Sequence, residues 1–128
     1  MSRWAVVGVA LALACQPSAA DHEELGDRWY GGGAYRDALA EYQLGLKAHP
    51  GDADLEAKLG AAALHVGDYA TAVNAYIALG EGDRSRAGEA ADGLERSARA
   101  SSATGSGAGC TRGPWWHAAA AAQQISRT

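Results

Sequence analysis

The chain has 128 residues and a formal net charge of −4, with 48% apolar and 20% charged side chains, enough for one small folded domain. Phe is absent and aromatics make up only 7%, so the core must be thin and built from small side chains, which suits packed helices better than a sheet. The acidic balance argues against nucleic-acid binding, and two cysteines exclude a disulfide-rich scaffold or a four-cysteine zinc site.

The amino terminus reads as an export signal over residues 1–20. Arg3 supplies a basic start, and Trp4 to Ala14 is an uncharged apolar run of eleven residues, too short to span a bilayer as a helix. Two processing sites follow, with Ala12-Leu13-Ala14 before Cys15 and Ser18-Ala19-Ala20 before Asp21. The first resembles a bacterial lipobox and would put a lipid on the Cys15 sulfur, although Ala12 stands where Leu is preferred. The second would release the chain as a soluble exported protein. Either way Cys110 has no partner within the chain and reads as a loose thiol in Gly-rich sequence.

The segment 21–100 is expected to be all-α. Sliding the chain by 34 residues sets Leu25-Gly26 on Leu59-Gly60, Gly33 on Gly67, Tyr35 on Tyr69, Ala38 on Ala72 and Tyr42 on Tyr76. The spacing predicts helices over about 21–30 and 35–48, then 53–66 and 69–79, each pair joined by a Gly-marked turn. Ala38, Leu39, Tyr42 and Leu46 share one helical face, and Pro50 ends the second helix. Asp52 or Asp54 can cap the third, and Gly80 and Gly82 shorten the fourth. A charged stretch over 83–100, with Leu94 its only large apolar residue, predicts a capping helix.

These positions resemble the tetratricopeptide repeat: Leu-Gly, Gly-x-Tyr at the turn, Ala three residues later and an aromatic four after that. Unit one (19–52) also has Trp29 and the closing Pro50, where unit two (53–86) has Ala63 and Arg84. The resemblance implies antiparallel helix-turn-helix repeats, a solenoid fragment of about five helices. It also implies a protein-binding groove lined by the first helix of each unit, here at Glu23, Asp27, Tyr30 and Gly31, then Ala57, Ala61, Leu64 and His65. Some members grip a C-terminal carboxylate with Lys and Asn at such places. Glu23 and Asp27 stand there instead, with Lys58 nearby, so that mode is disfavoured.

No catalytic constellation is legible. The four His residues share no helical face, Gly31-Gly32-Gly33 lacks the Lys-Ser/Thr of a phosphate loop, and adjacent Glu23 and Glu24 diverge on a helix. No enzyme activity, metal, cofactor or small-molecule substrate is expected. Residues 21–100 carry fifteen acidic against eight basic side chains, so a partner segment would be basic or apolar, or the acids serve solubility.

From Ser101 the composition turns to Gly, Ser and Ala, with Trp115-Trp116 before five alanines, and reads as a linker and low-complexity tail over 101–128. The expected function is a non-catalytic scaffold or adaptor of the bacterial cell envelope, on its periplasmic side. That expectation includes a protein partner and a membrane attachment through lipid on Cys15. The alternatives are a minor subunit packed into a larger membrane complex, with the tail as its plug, or a truncated repeat protein without activity.

Overall fold

The computed structural model describes residues 17–104, and every regular element among them is helical. Helices α1 (Ala19–Gly31), α2 (Tyr35–Ala48), α3 (Ala53–Val66) and α4 (Tyr69–Gly82) precede a 3-10 turn (Arg84–Arg86) and helix α5 (Ala87–Thr104). Each helix packs mainly on its sequence neighbours, so the chain forms a row of adjacent antiparallel pairs, an all-α helical-repeat architecture. No described helix is long and apolar enough to cross a membrane. The expected leader up to Gln16, including Cys15, and the tail from Gly105, including Cys110 and Trp115-Trp116, lie outside the described residues.

Helix starts follow from side-chain caps. Ser18 and Asp21 form a reciprocal capping box on α1: the Asp21 amide donates to Ser18 Oγ (3.3 Å), and the Ser18 amide to Asp21 Oδ2 (2.8 Å). These bonds hold the Asp21 carboxyl below its ordinary value, the backbone bond from Ser18 being the larger cause. Asp52 caps α3 through the amides of Asp54 and Leu55, and Asp68 caps α4 through the amide of Thr71. The turn within each pair needs a left-handed residue, supplied by Gly33 (φ 80°) and Gly67 (φ 82°), and Gly51 (φ 80°) serves the turn between the pairs.

The 34-residue period fixes element boundaries: Ala19, Ala53 and Ala87 each begin a helix, and α2 and α4 both start on the Tyr of Gly-x-Tyr. Two tyrosine rings are the principal knobs. A Cβ on Gly26 would meet Tyr42 Cε1 at 2.5 Å, and one on Gly60 would meet Tyr76 Cε2 at 2.8 Å, so the glycine of each Leu-Gly pair seats the ring of the second helix. Tyr76 is seated from both sides, because a Cβ on Gly93 of α5 would meet its ring at 2.5 Å. The alanines Ala38 and Ala72, fully buried, fill the remaining contact.

Two details differ from the sequence reading. Helix α4 runs to Gly82 rather than stopping near 79, because Leu79 and Gly80 are buried in the core and packing outweighs the low helix propensity of glycine. The last helix begins at Ala87 behind a 3-10 turn and reaches Thr104. It buries Ala90, Gly93, Leu94 and Ser97, with the Ser97 hydroxyl donating to the Gly93 carbonyl at 2.8 Å.

Candidate interaction surface

The residues expected to line a groove fall into several environments. Glu23 and Asp27 lie one turn apart on α1 and both accept hydrogen bonds from Lys58 Nζ on α3, at 2.6 and 2.7 Å. The second Asp27 oxygen accepts from the Tyr42 hydroxyl at 2.8 Å. Lys58, which sequence reading left as a neighbour, therefore ties the first pair to the second. Partial burial disfavours its charge, but the bonds to Asp27 and Glu23 outweigh that, and its pKa lies above the ordinary lysine value. The Tyr42 hydroxyl is pushed far above its usual range, first by burial and then by the Asp27 carboxylate.

Ala57 is 8% exposed and belongs to the core, so it offers little contact area. Ala61 and Leu64 are half-buried, Leu64 packing against the cluster that holds Val73, Tyr76 and Leu79. Gly31 is exposed at the end of α1.

The remaining two residues, Tyr30 and His65, meet at the turn end of the row and bring in a third aromatic. The imidazole of exposed His65 stacks on Tyr35 with centroids 4.1 Å apart and planes at 9°. Tyr30 stands edge-on to both rings, at 5.1 Å from Tyr35 and 5.5 Å from His65. Three helices contribute: the end of α1, the start of α2 and the end of α3. Beside the stack is an open recess of about 430 Å³ lined by Gly33, Ala34, Tyr35, Arg36, Asp37, His65 and Val66. Sequence reading took Tyr35 only as a turn marker. The signal that could have found it is the period itself, which lays the Gly-x-Tyr turn of one unit beside the end of the next unit's first helix.

Chemically the surface offers a flat aromatic stack with one cation and one carboxylate at its edge, Arg36 and Asp37, both exposed. It suits van der Waals and π contact with a side chain rather than bond making. Among the described residues, no group of three or more His, Cys, Asp or Glu is placed to hold a metal ion. No family model matches this chain, and no curated protein matches its sequence.

Proposed function

We propose that the chain is a non-catalytic protein–protein interaction module of the tetratricopeptide type, exported to the bacterial cell envelope and lipid-anchored at Cys15. The helix boundaries that recur at 34 residues and the Tyr-on-Gly seats support the repeat reading. The leader sequence supports export. The observation that carries the binding role is the Tyr30–Tyr35–His65 stack, an aromatic surface beside an open recess where three helices meet.

The partner chemistry shifts from the charge argument. Lys58 already bridges Glu23 and Asp27, so these acids favour cohesion of the two pairs over capture of a basic segment. An extended segment presenting an apolar or aromatic side chain fits the surface better. Affinity capture from the native envelope tests this: one discrete protein should be recovered by the parent chain and lost with the Tyr30→Ala, His65→Ala double variant. Recovery unaffected by that variant, or loss on deleting residues 101–128 instead, would move the function to the tail and to the complex-subunit alternative. Labelled fatty acid incorporated by the parent and not by Cys15→Ser checks the anchor.

A further inference from the structure

The large apolar side chains exposed among the described residues are Leu25 (36%), Trp29 (43%) and Leu44 (40%), and all three belong to the first pair. On α1, Asp21, Leu25 and Arg28 follow at i, i+4 and i+7 and so share one helical face. Their counterparts 34 residues on, Leu55, Leu59 and Ala62, are buried in one cluster with Ala38 and Tyr42 of α2. This is the face on which α3 receives a neighbouring helix. On α1 all three of its residues are exposed. Trp29 stands at the edge of that face, on the side toward α2, since its counterpart Ala63 is buried with residues of α4.

The charges on this face select what can cover it. Along α1 an acid, Asp21, precedes the leucine and a base, Arg28, follows it. A helix laid antiparallel across Leu25 must bring a base to Asp21 and an acid to Arg28, so read from its own start it too carries acid, apolar residue and base. Among the described helices only α1 has an acid, a large apolar residue and a base at i, i+4 and i+7. Helix α5 has Glu89 and Arg96 at that spacing, but around Gly93, which is buried under the Tyr76 ring. Both charges on α1 keep capacity for a partner. Asp21 Oδ2 accepts from the Ser18 amide and hydroxyl, each at 2.8 Å, while Oδ1 accepts no hydrogen bond among the described residues. The Arg28 side chain is 70% exposed and pairs with Glu24 through one nitrogen, leaving further guanidinium donors. A contact of α1 with α1 also sets Leu25 and Trp29 of one copy against those of the other. A head-to-tail contact would lay them on α5, which exposes no large apolar side chain.

We propose that a second copy of this chain covers the face, α1 of one protomer crossing α1 of the other antiparallel at Leu25, with Asp21 of each beside Arg28 of the other. Two turns of helix make a small contact, so the dimer belongs to the weak class, and its ion pairs set orientation more than affinity. The proposal goes beyond the adaptor reading and does not depend on it. Tyr30 of the aromatic stack lies about 140° around α1 from Leu25, so the dimer and the stack use different sides of the helix.

Photocrosslinking of the purified full-length chain, with Cys15→Ser and Cys110→Ser to exclude disulfides, tests it. A photoreactive residue of benzophenone type in place of Leu25 keeps an apolar side chain there, and should give a covalent dimer whose mapped crosslink joins α1 to α1. The same residue in place of exposed Glu81 on α4 should give at least about tenfold less dimer. Arg28→Glu in the chain carrying the probe at position 25 sets acid against acid, and Asp21→Lys sets base against base. Each alone should lower the dimer yield at least about fivefold at low ionic strength. Mixing the two variants brings opposite charges together at both ends of the contact and should restore the yield. That rescue guards against loss of folding, because two misfolded chains do not regain a face on mixing. Equal yields from positions 25 and 81, or a yield from 25 that ignores the charge reversals or is not restored on mixing, would overturn the proposal. So would a lipid adduct in place of the dimer when phosphatidylglycerol vesicles are present, which would assign the face to a membrane.

Discussion

The two helix pairs share a backbone plan and differ in what they enclose. In the first pair α1 buries only Gly26, whereas α3 of the second buries Leu55, Ala57, Leu59, Gly60, Ala62 and Ala63. The reason is position in the row: α3 has α2 on one side and α4 on the other, and α1 has a described neighbour pair on one side only. The tyrosines show the same contrast. Tyr42 gives its hydroxyl to Asp27, within a polar junction that includes Lys58 and Glu23, while Tyr76 has Ala61 at the position of Asp27 and is gripped by glycines from two helices. Glycine, alanine and tyrosine set the repeat geometry, and burial by neighbours sets the polarity of everything else.

That contrast can be broken in graded steps. Tyr76→Ala removes the knob shared by α3, α4 and α5, and should cost about 3–5 kcal/mol in chemical denaturation, enough to abolish a cooperative transition in so small a core. Gly60→Ala presses a methyl into the same ring and should cost about 1–3 kcal/mol, read as a lowered denaturation midpoint. Gly26→Ala should do likewise through Tyr42.

Phenylalanine substitutions separate the two pairs. Tyr42→Phe, losing a bond to a carboxylate, should cost about 1.5–3 kcal/mol, and Tyr76→Phe should change stability by less than about 0.5 kcal/mol. Equal effects would mean that the polar junction of the first pair contributes nothing distinctive.

Alkaline titration gives the smallest and most specific signal. The Tyr42 hydroxyl is raised above its ordinary 10.0 and the Lys58 ammonium above 10.5, so each binds its proton more tightly folded than unfolded. Their contributions are fully present below those ordinary values and are lost as pH rises through the folded-state ones. Melting temperature should therefore fall as pH climbs above 10, and Tyr42→Phe should flatten the fall. A parallel fall in parent and Tyr42→Phe would remove Tyr42 from the account.

Helix number, helix type and most boundaries were legible in the sequence because the period repeats the turn glycines and the seat-and-knob residues. Two features were not. The Lys58 junction joins residues 35 and 31 positions apart, and depends on the rotation of α1 against α3, which periodicity does not encode. The second seat of Tyr76 needed Gly93, which lies in a stretch read as a polar cap because its buried face is made of Ala, Gly and Ser rather than large apolar residues. Of the proposed binding surface, Tyr30 and His65 were named from the repeat pattern, but only packing brings Tyr35 against them. Ala57 was placed on the groove by the same pattern, and burial against the core takes it out of reach.

The central proposal, that the aromatic end of the row is a protein-binding surface, is tested most directly by photocrosslinking in intact cells. A photoreactive residue would replace His65 or Arg36 beside the recess, and Glu81 or Ser102 on exposed positions away from it. The account predicts one discrete crosslinked protein from positions 65 and 36 and none from 81 and 102. The same product from all four positions, or products from 81 and 102 alone, would contradict it.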